Sequence, residues 1–147
     1  VNLLDAELQQ LDWKPGFRHR AASIRKPLGG ELIGAAVYEF DPGEQLWPYH
    51  WHVADEEWLI VVVGTPILRT PEGERELRAG DVVGFPAGEA GAHTLYNRGD
   101  DPARVAFFSS LGPGGTVYPD SGKIAAGGHV FRLADEVDYW DGEGGCA

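Results

Sequence analysis

Two histidines one residue apart, His50 and His52, and a pair of glutamates, Glu56 and Glu57, crowd into the stretch YHWHVADEEW. In an extended strand, residues two apart project from one face with Cα atoms roughly 6.5–7 Å apart, so both imidazoles can aim at a single point. Trp51 then faces the other way. A hairpin turn through Val53-Ala54-Asp55-Glu56 would return the chain and place Glu57 at the start of the next strand, beside the histidines. Two imidazoles and a carboxylate form a borderline-hard donor set that suits manganese, iron, cobalt, nickel or zinc rather than copper(I) or calcium. His-x-His alone is more often a pair of hydrogen-bonded strand residues, so the flanking sequence decides.

That sequence reads as β structure. From Phe17 onward, runs rich in Val, Ile, Phe, Tyr and Trp alternate with turn signals such as Asp41-Pro42-Gly43, Gly64-Thr65-Pro66, Pro86-Ala87-Gly88 and Asn97-Arg98-Gly99-Asp100. Short strands with frequent turns predict a β-sandwich or barrel. Leu59, Val61 and Val63 share the parity of Glu57 and are expected to line its interior. Trp58, Ile60 and Val62 make the other face of that strand apolar too, which predicts burial on both faces, against another sheet or at a homodimer interface. Before the first strand, Leu4, Leu8 and Leu11 recur at helical spacing between Asn2 and Pro15-Gly16, predicting a short amphipathic helix. The glycine-rich segment from Gly112 to Gly128 reads as an ordered loop packed on the barrel rather than an internal strand.

Composition narrows the function classes. The 147 residues fit one domain spanning 1–147. The longest apolar run, Trp58 to Val63, is far too short for a membrane-spanning helix, so a soluble protein is expected. A net charge of −11 would repel a phosphate backbone, which argues against nucleic acid. The opening residues VNLLDAELQQLDW lack the pattern of a signal peptide, giving a cytoplasmic expectation, and the absence of methionine points to a trimmed N-terminus. Cys146, next to last, reads as a frayed tail thiol.

Two stretches carry a resemblance. Gly43-EQLWPY-His50-Trp51-His52-VADE-Glu57-WLIVVV-Gly64 and Gly80-DVVGF-Pro86-Ala87-Gly88-EAGA-His93-TLY-Asn97 resemble, in order and nearly in spacing, the two motifs of the cupin superfamily. The gap before His50 is one residue longer than the family pattern, and the gap before His93 two residues longer. The motif core covers 43–97, and the likeness extends from about Phe17 to Phe108. It implies an all-β fold, a cupin-type double-stranded β-helix or jelly-roll barrel. It also implies a ligand set of His50, His52, Glu57 and His93 for one divalent metal, manganese or iron first and nickel, cobalt or zinc after them. The six-residue spacing to Gly64 selects Glu57 over Glu56. Asn97 is expected to close a turn, and His19 and His129, outside both motifs, to be ordinary surface or strand histidines.

The segment Tyr118-Pro119-Asp120-Ser121-Gly122-Lys123 and the tail Val137-Asp138-Tyr139-Trp140-Asp141-Gly142-Glu143 further resemble a group of small single-domain cupins labelled sugar-phosphate isomerase-like or oxalate decarboxylase-like, mostly by fold. The implied function is a metal-dependent enzyme acting on a small carboxylate, hydroxy-acid or sugar phosphate by isomerase, decarboxylase or dioxygenase chemistry. Four protein ligands on an octahedral ion leave two open positions for such a ligand. Glu89, Tyr118 and Lys123 are the candidate proton-transfer residues. The alternative is a non-catalytic binding or storage cupin with a structural metal. A third class, a metal-free sugar-nucleotide epimerase, would need a catalytic His and Tyr pair in place of the ligand set. A homodimer is expected, since cupins commonly pair through sheet surfaces.

Overall fold

The computed structural model describes residues 1–142. Its strands, in chain order, are β1 (Gln9–Leu11), β2 (His19–Ser23), β3 (Ile33–Phe40), β4 (Gln45–His52) and β5 (Glu57–Val63). Then come β6 (Ile67–Thr70), β7 (Gly73–Glu76), β8 (Val82–Phe85), β9 (His93–Tyr96) and β10 (Ala103–Ser110). Finally β11 (Thr116–Tyr118), β12 (Lys123–Ala126) and β13 (His129–Arg132) follow, with single 3₁₀ turns at Glu89–Gly91, Pro119–Ser121 and Leu133–Asp135. They form two antiparallel sheets, ordered β1-β2-β3-β10-β5-β8 and β13-β12-β11-β4-β9-β6-β7. This is the expected all-β jelly-roll. Among the described residues, no helix is long and apolar enough to cross a membrane.

Period-2 patterning accounts for the core. Leu59 and Val61 of β5, Leu46 of β4, Leu95 of β9 and Val105 of β10 all point between the sheets and are fully buried. Each such side chain contributes about 1.5–3 kcal/mol of burial. Val63 departs from its expected place: at the strand end, opposite the bulge between Arg104 and Val105, it is 43% exposed. The outer face of β5 is only partly covered within one chain. Ile60 and Val62 are half-buried, whereas Trp58 is 61% exposed, beside Phe108 and over the side-chain-free Gly84.

Two expectations are corrected. No N-terminal helix forms; Gln9–Leu11 instead pairs with β2 at the sheet edge. Asn2 does accept a cap-like bond from the Leu4 amide, but the Arg104 guanidinium takes the carbonyls of Leu3 and Leu4. A helix this short is marginal without tertiary support, and here the tertiary contact competes with it. The segment after Gly112 is not a loop but supplies β11 and β12, with β11 internal between β12 and β4. Its glycine content hides the strand pattern for a packing reason: a Cβ on Gly115 would lie 2.6 Å from the Ala125 carbonyl oxygen. Cys146 and Glu143 lie outside the described residues.

Candidate metal centre

His50 and His52 project from β4, and His93 opens β9 as the cross-strand partner of His50. Glu57 opens β5 in the opposite sheet. The hairpin expected to set Glu57 beside the histidines is therefore not formed. Both edges of β4 are already paired, with β9 and β11, so residues 53–56 carry the chain across to the facing sheet. Glu57 meets the histidines from across the barrel.

The ligand atoms of His50, His52 and Glu57 all lie within 4.8 Å of one another. His93 is outside that triad but adjoins it: His52 Nε2 stands 3.1 Å and His93 Nε2 3.3 Å from the same oxygen, Glu57 Oε2. The His93 ring centroid is 4.7 Å from that of His50. Nδ1 of His50 donates to the Pro48 carbonyl and Nδ1 of His93 to the Gly91 carbonyl, each at 2.8 Å. A carbonyl only accepts, so in the neutral rings both protons sit on Nδ1 and both Nε2 lone pairs are free. Metal-bound histidines are oriented by such backbone bonds. Nδ1 of His52 is 3.2 Å from Thr116 Oγ1.

The electrostatics favour a cation. Burial, with the neighbouring charges of His93 and His52, lowers the His50 pKa to about 4, so this ring is neutral at pH 7. Burial works against the Glu57 carboxylate, but the hydrogen bond from His52, with the proximity of the His52 and His93 rings, outweighs it and holds its pKa at about 2. His52 shows the same contest: burial opposes its charge, yet Glu57 raises its pKa above the ordinary value. His93 is 2% exposed, stacked 3.8 Å from Phe85, and its Nε2 lacks a hydrogen-bond partner: with the proton on Nδ1 it can only accept, as can the Glu57 oxygen it faces. A buried nitrogen left so is costly unless something fills its lone pair. This donor set fits a divalent ion of the nitrogen- and oxygen-preferring kind.

Around these residues is a cavity of about 250 Å³, also lined by Tyr38, Trp47, Phe107, Thr116 and Tyr118. Of the sequence's proton-transfer candidates, Tyr118 alone lines it, its ring stacked on His50 at 5.9 Å. Glu89 is exposed on the 3₁₀ turn before His93. Lys123 is off the lining, its Nζ 5.6 Å from the centroid of the Tyr118 ring. The segment between β11 and β12 is tethered by Arg69, which forms a bidentate pair with Asp120 at 2.6 and 2.9 Å.

Sequence reasoning missed Tyr38, Trp47, Phe107 and Thr116, which reach the cavity through long-range pairing. Trp47 offered no local signal, since its φ of +63° lies where a non-glycine residue is strained. Such strain costs on the order of 1–3 kcal/mol and persists where surrounding structure imposes it. Here it falls within the irregularity of the β4–β9 register between Leu46 and His50. His19 is a strand histidine but not a surface one: it is 2% exposed and edge-on to Trp47 at 4.6 Å. His129 is exposed on β13. Asn97 closes its turn as expected, donating to the Phe40 and Asp101 carbonyls and accepting from the Gly99 amide.

Comparison with known proteins agrees with this architecture. A candidate sugar phosphate isomerase from Acidithiobacillus ferrooxidans superposes with a TM-score of 0.82 at 22% identity, covering 92% of this chain and 90% of its own. A sugar phosphate isomerase of the cupin superfamily from Silicibacter pomeroyi gives 0.79 at 21% identity, covering 96% and 97%. A predicted oxalate decarboxylase from Thermotoga maritima gives 0.62 at 17% identity, covering 76% and 97%. At these identities the likeness shows the fold. A comparison with curated proteins finds no match. The family model for the cupin domain matches residues 36–109, from the middle of β3 almost to the end of β10 and across β4 and β9, the strands of His50, His52 and His93; the chain belongs to the cupin family.

Proposed function

We propose that the chain is a divalent-metal-dependent cupin, with His50, His52, Glu57 and His93 as ligands, that acts on a small chelating oxyanion. The observation that carries this reading is the convergence on Glu57 of buried imidazoles, two of which are fixed as Nε2 donors by the Pro48 and Gly91 carbonyls. The mixed nitrogen and oxygen set suits manganese or iron, while the affinity order lets nickel, cobalt or zinc compete. A bound divalent ion supplies a positive charge that holds a carboxylate, hydroxy-acid or enediolate oxygen and polarises a neighbouring carbonyl.

The protein's own residues do the rest. Glu57, ionised, offsets part of the cation's charge, and Phe85 and Phe107 exclude water from the inner end of the site. The hydroxyls of Tyr38 and Tyr118 hold protons at neutral pH. Burial raises the Tyr38 pKa, helped by the charge of Glu57, and burial raises that of Tyr118. Isomerase and decarboxylase chemistry both accord with such a site, and the relatives described as sugar phosphate isomerases and oxalate decarboxylase span these two classes. Placement of Glu89 and Lys123 off the cavity lining favours a second reading, a non-catalytic binding cupin. Metal analysis of protein purified without added metal, followed by a screen of small acids and sugar phosphates, tests both. Turnover abolished by a chelator supports the enzyme, and binding without turnover supports the second reading. Metal-free protein whose ligand binding ignores added manganese or iron would sink both.

The exposed Trp58 face of β5, continued by Val82 of β8, is proposed to be covered by a second copy of the chain. Light scattering at micromolar concentration is expected to report a dimer, and Trp58→Asp a monomer. A strictly monomeric parent would remove this assignment.

A further inference from the structure

The side chains that shape the cavity beyond the ligand set are mostly aromatic. Tyr38 meets Trp47 at 5.5 Å and 83° and meets Phe107 at 6.0 Å and 77°, so the three form one continuous edge-to-face wall. Tyr118 stands on His50 in a stacked arrangement. Trp47 is held in this wall despite its left-handed backbone, and His19 backs it from the side away from the lining. Among the described residues, none of those lining the cavity is lysine or arginine. Arg69 is occupied by Asp120, and Lys123 is off the lining, its Nζ over the Tyr118 ring. The only formal charges on the lining are the Glu57 carboxylate and any proton the histidines carry.

These features select among oxyanions. A phosphate ester carries nearly two negative charges at neutral pH. Such groups are recognised by arginine, lysine or clustered backbone amides, and a buried charge without partners is penalised. Here a phosphorylated sugar that met the ligand set through its sugar oxygens would present its phosphate to tyrosine, tryptophan and phenylalanine. A flat apolar group would instead meet ring faces and edges at favourable spacings. The volume of about 250 Å³ is below the roughly 300–1,000 Å³ of sites for drug-sized ligands, which limits that group to about one ring.

Resting on the metal-site reading, we infer that the pocket takes a small monoanionic chelator, such as a hydroxy-acid or an enolisable keto-acid, that bears a flat apolar substituent, and that it discriminates against phosphorylated sugars. Its anionic end belongs at the ligand set, and its ring lies against the wall of Trp47, Tyr38 and Phe107, with Tyr118 on the opposite side. Trp47 and Tyr118 are thus specificity-determining residues.

The test uses the full chain loaded with cobalt(II), whose visible absorption reports metal binding independently of any organic ligand. Calorimetric titration with mandelate, lactate and glucose 6-phosphate follows, with tryptophan fluorescence recorded in parallel. Mandelate is expected to bind roughly tenfold tighter than lactate, the size of an aromatic contact beyond simple burial, and to quench tryptophan emission. Glucose 6-phosphate is expected to bind more weakly than lactate. Because Trp47 substitutions would disturb the core, Tyr118→Ala serves as the variant: it should lose most of the preference for mandelate over lactate, with cobalt absorption reporting separately on the metal centre. Cobalt binding with equal affinities for mandelate and lactate, or with glucose 6-phosphate tightest, overturns this inference and leaves the metal site standing. Failure to bind cobalt overturns both.

Discussion

In the His50→Ala, His52→Ala double variant, bound metal is expected to fall to background, and a chelator should no longer move the melting temperature. The parent should behave oppositely. At free metal about 100 times its dissociation constant, a single bound ion stabilises the folded state by about 2.7 kcal/mol. For a chain of 147 residues this corresponds to roughly 5–10 °C in melting temperature, lost on chelation. The variant removes two of the imidazoles that converge on Glu57, and with them the donors that an ion requires. Glu57 and His93 remain, 3.3 Å apart, but two donors do not hold a divalent ion against bulk water and buffer. Full metal occupancy in the double variant, with melting unchanged by chelation in both proteins, would defeat the ligand assignment.

Gly91→Ala should disable the same centre without touching a ligand. A Cβ at Gly91 would lie 1.9 Å from the Pro86 carbonyl oxygen and 3.0 Å from its carbon, so the 3₁₀ turn Glu89–Gly91 must move. Overpacking of this kind costs about 1–3 kcal/mol, and the contact is backbone against backbone, which puts the expectation at the upper end. The Gly91 carbonyl also holds Nδ1 of His93. Displacing the turn therefore swings the ring that faces Glu57, and orienting bonds of this sort are worth about 10–100-fold in metal affinity. Urea denaturation and metal competition measure the two effects. An alanine variant with parental stability and parental metal affinity would show that the turn does not position His93.

This turn also shows how far the sequence could be read. The gap before His93, two residues longer than the cupin pattern, contains the 3₁₀ turn, and His93 still lies opposite His50. Strand parity brought His50 and His52 together, and motif spacing singled out Glu57, because both are short-range properties of an extended chain. The direction from which Glu57 approaches was not legible. It depends on β9 and β11 having claimed the edges of β4, pairings with strands remote in sequence. The N-terminal leucines mislead for the same reason, since Arg104, remote in sequence, decides the fate of Leu3 and Leu4. Glycines at close backbone approaches masked β11 and β12, and the aromatic wall emerged only once β3, β4 and β10 were brought together.

The pairing of His50 with His93 also means that an ion at this centre would arrive late in the life of the folding chain. An unfolded chain offers it only the neighbouring pair His50 and His52. The other two ligands arrive when β9 docks on β4 and the two sheets close, and non-local pairings of this kind form slowly. A metal held by this ligand set would thus not nucleate the protein in the manner of a zinc finger. It would bind a completed barrel and resist its opening, so the expected contribution is to the lifetime of the folded molecule more than to the speed with which that molecule is reached.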